Sequence, residues 1–108
     1  MALEHVGPGE VVAVRGEGLL LAGERTAALV KTQHFELIRM VLPATKIIAE
    51  HLVDGPIVLQ CLEGAVIVTV GGTAHVIAAG ELIHLGPRTP HALEATEDSA
   101  LLLTVVFV

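Results

Sequence analysis

The sequence predicts an all-β domain. Three observations carry that prediction. Val, Ile and Leu are abundant, and hydrophobic residues make up 53% of the 108-residue chain. Gly recurs every ten residues or so and cuts the chain into short runs, the pattern of brief strands joined by tight turns. No segment shows the 3.6-residue apolar period of an amphipathic helix.

The elements follow in order. Strands are expected at Glu10–Arg15, Leu19–Ala22, Arg25–Lys31, Phe35–Leu42, Lys46–Leu52 and Ile57–Glu63. They continue at Ala65–Val70, Thr73–Ala78, Glu81–Leu85, His91–Ala95 and Ala100–Phe107. Each is a run of β-branched or aliphatic residues. Turns are expected at Gly16-Glu17-Gly18, Gly23, Pro43, Asp54-Gly55-Pro56, Gly71-Gly72, Gly80 and Gly86-Pro87. Gly71-Gly72 is a two-residue hairpin signal, because both turn positions tolerate positive φ. Ala65–Val70 and Leu101–Val106 are apolar on both faces. Such strands are covered on both sides, here by the opposite sheet and by a second subunit. The whole chain, 1–108, is the length of one domain. Residues 1–40 form N-terminal strands and 42–106 the core of the barrel.

Composition excludes several function classes. Net charge is −6 with histidines neutral, and the six basic residues are scattered. Nucleic-acid binding is therefore not expected. The chain has no Trp or Tyr and only two Phe, so base stacking has few platforms. The longest apolar run, Ala100 to Val108, is about half of the ~20 residues a membrane helix needs. The N-terminus, MALEHVGPGE, lacks the apolar stretch of a secretory signal. The single Cys61 sits in an apolar run and is expected to be a buried, inert thiol. A cytoplasmic chain without disulfides fits these features. Only one serine is present, Ser99. No nucleophile elbow, phosphate loop, CxxC pair or dinucleotide fingerprint occurs.

Chemistry concentrates between Lys46 and His91. Two histidines, His51 and His91, each stand beside a Gly/Pro turn, with short β runs between them. That is the layout of a small barrel whose mouth holds a ligand. The stretch also ends one run in Leu62-Glu63-Gly64 and carries Gly80-Glu81 followed by Pro90-His91.

In these motifs, about two-thirds of the chain, from Leu42 to Val106, resembles the cupin superfamily in its small single-domain form. The resemblance implies a double-stranded β-helix, a jelly-roll barrel. Cupins carry G(x5)HxH(x3–4)E(x6)G and G(x5)PxG(x2)H(x3)N. The three histidines and the glutamate usually converge on a divalent metal. His51 falls on the first His of HxH and His91 on the His of the second motif. The second His position holds Val53 and the Glu position Ile57. The second motif's Pro, second Gly and Asn are replaced by Gly86, Arg88 and Ala95. Two of four ligands survive, and both lost ones became apolar.

A catalytic divalent site takes at least three protein ligands. Two neutral imidazoles supply no compensating charge, and Val53 and Ile57 dry the pocket. The expected function is thus a cupin-like barrel that binds a small polar or acidic ligand, with at most a non-standard site for Fe, Mn, Ni, Cu or Zn at His51 and His91. The expected pocket comprises His51, His91, Gln60, His84 and Arg88. Gln60 is polar in an apolar run and needs partners; period-two counting from Ile57 turns it away from Leu59 and Cys61. His84 joins the pair or faces outward. Arg88 is the cation placed to attract an acid at the mouth, or a solvated loop residue. His75 is expected on the surface. Arg39 is expected to be paired, its stem buried. Glu94, Glu97 and Asp98 read as a solvated turn.

Two other functions compete. One is a metal-dependent dioxygenase or isomerase using His51 and His91. The other is a stand-alone sensor domain without a DNA-binding partner segment. The expected partner is a second copy of the chain in a homodimer, with strands from Glu10 to Lys31 packed across the two-fold axis.

Overall fold

The computed structural model describes residues 5–15 and 25–108. Among them are nine strands and no helix. They are β1 (Ala27–Lys31), β2 (Phe35–Leu42), β3 (Ile47–His51), β4 (Ile57–Glu63) and β5 (Ala65–Val70). The rest are β6 (Thr73–Ala78), β7 (Leu82–Leu85), β8 (His91–Ala95) and β9 (Ser99–Val106). All pair antiparallel in two sheets, one ordered β1-β2-β9-β4-β7 and the other β3-β8-β5-β6. The non-sequential neighbours are the crossovers of a jelly roll, so the double-stranded β-helix expected from the sequence is present.

The core lies between the sheets. Leu42, Leu59, Cys61 and Leu101 from the first meet Val66, Val68, Ile77, Leu93 and Ala95 from the second. Alternation sets this packing. In β4, Ile57, Leu59 and Cys61 are buried while Val58 and Gln60 are half-buried. In β8, His91, Leu93 and Ala95 are buried and Glu94 is exposed. Each fully buried Leu or Val contributes roughly 1.5–3 kcal/mol. Gly71-Gly72 joins β5 to β6 as expected: Val70 pairs with Thr73, and both glycines have positive φ, 56° and 81°.

The expected strand at Glu10–Arg15 is not one. These residues run without a ladder partner and end in a turn at Val14-Arg15. Arg39 holds the segment from the sheet instead, its Nη1 donating to the carbonyls of Ala13 (3.3 Å) and Val14 (3.4 Å). The expected strand at Leu19–Ala22 lies outside the described residues. β1, β3 and β7 are shorter than expected at their ends, and β9 begins one residue earlier and ends one earlier. The acidic cluster is not simply solvated. Glu94 lies on β8, and the Asp98 carboxylate accepts a hydrogen bond from Ala44 N at 2.8 Å. No helix among the described residues is long and apolar enough to cross a membrane.

Candidate functional site

His51 ends β3 and His91 begins β8. The strands are neighbours, and after a bulge between Ile48 and His51 the register sets His51 directly opposite His91. The ring centroids are 4.5 Å apart, tilted by 54°. His91 is 6% exposed, whereas His51 is open to solvent. The loops carrying them are tied together, since Arg88 N donates to Val53 O at 2.9 Å.

Both rings use the same local device. His51 Nδ1 lies 3.0 Å from the carbonyl of Ala49, and His91 Nδ1 lies 2.9 Å from that of Thr89. A carbonyl only accepts, so Nδ1 carries the proton on each ring. In the neutral imidazole, Nε2 is then a lone-pair acceptor. The pair therefore sets two imidazole rings beside one space.

That space is a cavity of about 40 Å³ between the sheets. His51 and His91 line it with Met40, Ile48, Ile57, Leu59, Leu93 and Leu103. It holds one or two waters at roughly 30 Å³ each, far less than the ~300–1,000 Å³ of a drug-sized site.

Three other residues expected in the pocket are not among its lining. Gln60 pairs with Leu82 and Leu102 on the opposite face of β4, where period-two counting put it. His84 pairs with Val58 on that same face and is exposed. Arg88 is exposed and engages Asp54 Oδ1 at 2.5 Å. Met40 is a lining residue the sequence did not single out, because a methionine in an apolar strand has no pattern that separates lining from core. Cys61 is fully buried, and its thiol lies 3.4 Å from Glu63 O, its hydrogen-bond acceptor. Burial pushes that thiol up from its ordinary pKa, and the charges of Glu97 and Glu81 add to the rise.

The cupin domain family matches residues 38–107. The chain belongs to the cupin family. Solved structures agree. A conserved protein of unknown function from Streptococcus pyogenes superposes with a TM-score of 0.79 at 23% identity, covering 100% of this chain and 96% of that one. A cupin superfamily protein from Desulfitobacterium hafniense gives 0.80 at 11% identity, covering 100% of both. A Thermus thermophilus protein gives 0.65 at 25% identity, covering 78% of this cupin and 84% of its own chain. No curated protein matches the chain.

Cupin domains often bind a divalent metal, and the donors here do not fit one. Among the described residues no group of three His, Cys, Asp or Glu is placed to hold an ion. Ile57, at the family's glutamate position, is a wall of the cavity. The cavity is lined by two imidazoles and no carboxylate.

Proposed function

We propose that this cupin is a small-ligand-binding module whose His51–His91 pair forms the polar end of the pocket. One observation carries the reading: two imidazoles, each held at Nδ1 by a backbone carbonyl, stand with ring centroids 4.5 Å apart on the wall of an otherwise apolar cavity. The ligand is small and polar or acidic. A hydroxyl or an undissociated acid donates to Nε2 directly. With about 40 Å³ inside, the ligand inserts one small group and keeps any larger part outside, past the exposed His51. A resident Fe, Mn, Ni, Cu or Zn centre with dioxygenase or isomerase activity is the less supported reading.

The same proposal includes a homodimer and a cytoplasmic location. The outward face of the first sheet bears half-buried Leu37, Val58 and Leu102, and Leu82 is 57% exposed. An apolar band of that kind is a normal seat for a second copy. The cysteine is free and buried, which suits a reducing compartment.

Titration with formate and acetate between about pH 5 and 8, read on the histidine ring signals by NMR, tests the pocket. Shifts at His51 and His91 in the wild type, lost in His51→Ala, support it. Rings that respond to no small acid or alcohol would sink it.

A further inference from the structure

Beside the histidine pair lies a second, larger space. A groove of about 240 Å³ runs between the loop at 53–55 and the end of β9, walled by Val53, Val105, Val106, Phe107 and Val108. We infer that this groove takes the aliphatic chain of the ligand whose polar head reaches His51 and His91. The ligand is then an unbranched, medium-chain acid or alcohol. The inference rests on the reading that the pocket binds its ligand at the histidine pair, and it adds the chemistry of the ligand's other end.

The two spaces adjoin. Ile57 walls the cavity and Val105 the groove, and these residues are cross-strand partners. Leu103 of the cavity wall lies two residues before Val105, so both side chains stand on one face of β9. From the other sheet, His51 walls the cavity and Val53, two residues on, walls the groove. A chain that leaves the cavity between His51 and Ile57 therefore meets Val53 and Val105 next.

The groove is also held in shape. Arg88 N donates to Val53 O at 2.9 Å, and Val106 N donates to Pro56 O at 3.1 Å. Gly55 is buried against β9, where a Cβ would overlap the Val106 carbonyl. Walls fixed in advance reduce the ordering cost of binding. The lining then selects an uncharged chain. Asp54 is the charged residue of the groove, and Arg88 already engages it. The other walls are aliphatic apart from Phe107. Phe107 and Phe35 are the two aromatic residues of the chain, and both are exposed at this end, Phe35 as the partner of Val106. Contiguous exposed apolar residues of this kind mark a ligand groove. A methylene takes up about the space of one liquid water, ~30 Å³, so the groove has room for about eight.

The test measures binding of acetate, butyrate, hexanoate and octanoate, and of the matching 1-alcohols, each below its micelle-forming concentration at about pH 6. Histidine ring, Phe107 ring and valine methyl signals are followed by NMR on wild type, Phe107→Ser and Val53→Thr. Phe107 is exposed and Val53→Thr keeps the side-chain shape, and circular dichroism verifies both folds. Affinity is expected to rise about two- to fourfold per methylene from the four-carbon to the eight-carbon member of both series, with ring and groove signals moving together. Octanoate is expected to bind about tenfold more weakly in Phe107→Ser and about threefold more weakly in Val53→Thr, with acetate unchanged in both. No gain with chain length, or a gain that both variants retain, overturns the inference. So does a dimer that dissociates on Phe107→Ser without any effect of chain length, because the groove would then seat a second copy. If acetate moves the ring signals and octanoate binds no tighter, only this inference falls. If no acid or alcohol moves the rings, the ligand-binding reading falls with it.

Discussion

Thr45 and Arg88 are the two non-glycine residues with a left-handed backbone among those described, at φ 74° and 55°. Each introduces one histidine of the pair. Thr45 precedes His51 by six residues and Arg88 precedes His91 by three, and both spacings belong to glycines in the cupin motifs. The chain has lost the glycines and kept their conformation. At Thr45 the reason is local. Lys46 N donates to Pro43 O at 3.0 Å, and only the second central residue has positive φ, the pattern of a type II turn. Asp98 clamps the turn through Ala44 N, and Thr45 N bonds to Ala95 O at 2.8 Å.

Restoring glycine at these sites is expected to be neutral or stabilising. A left-handed non-glycine residue costs about 1–2 kcal/mol, and glycine returns about 0.5–1 kcal/mol of that to unfolded-chain entropy. Thr45→Gly is therefore expected to gain about 0–1 kcal/mol in urea unfolding. Arg88→Gly gains the same relief and loses an exposed ion pair with Asp54 worth at most about 1 kcal/mol. A loss above about 1 kcal/mol in Thr45→Gly would show that the threonine side chain is needed there.

Gly64 is the opposite case, a motif glycine the chain has kept. Its φ is +82°, and a Cβ there would overlap Ser99 Oγ and the carbonyl of Asp98. Ser99 cannot move aside cheaply. Its Oγ accepts from Ala65 N at 3.1 Å and donates to Glu97 O at 2.7 Å, with the residue 1% exposed. Gly64→Ala is expected to lose at least about 2 kcal/mol of stability. Ser99→Ala is expected to lose about 1–3 kcal/mol, because the half-buried Ala65 N–H loses its side-chain partner. Chemical denaturation of both checks this, and a wild-type midpoint for Gly64→Ala would contradict it.

The strands were legible where alternation and punctuation agree. β2, β4, β5, β6 and β8 have the bounds their apolar runs imply, and the Gly-Gly hairpin follows from turn chemistry alone. Glu10–Arg15 is the same kind of short apolar run without being a strand. Periodicity reports which side chains share a face, and a ladder also requires an edge to pair with. Here Arg39 reaches the backbone first, and Val11 is left 96% exposed. The site was half legible. Motif spacing marked His51 and His91, and the fold makes them cross-strand partners. The face of Gln60 also followed from counting, and that face is turned away from the cavity. Arg88 was marked by its charge, and Asp54 is what that charge meets. Met40 needed the opposite sheet in place before it meant anything.

The two histidines are expected to respond unequally to removal. His51 is exposed, so His51→Ala is expected to stay within about 0.5 kcal/mol of wild type while abolishing ligand response. His91 is buried, and its loss strands the Thr89 carbonyl. His91→Ala is expected to lose about 1–3 kcal/mol. Thermal and urea unfolding of both variants separate the roles. A large loss in His51→Ala would make that ring structural and remove it from the site.

Cys61 gives an alkaline signature. The thiol is fully buried between Leu59 and Leu101 strands, and its pKa is raised first by desolvation, then by Glu97. Unfolding restores the ordinary value near 9.0. Below that value both states hold the proton, and Cys61 adds no pH dependence. Above it the unfolded chain releases the proton while the folded chain retains it. Fewer protons on the unfolded state means stability falls with rising pH, from the ordinary value up to the raised one. Urea unfolding across the alkaline range is expected to show this slope in wild type and a shallower one in Cys61→Ala, whatever the absolute stability of that variant. The same burial makes the thiol unreactive in the folded state. Labelling by a thiol reagent should therefore track the unfolded fraction as urea is added. Rapid labelling without urea, or an identical alkaline slope in Cys61→Ala, would place the thiol at a solvent-reached position instead.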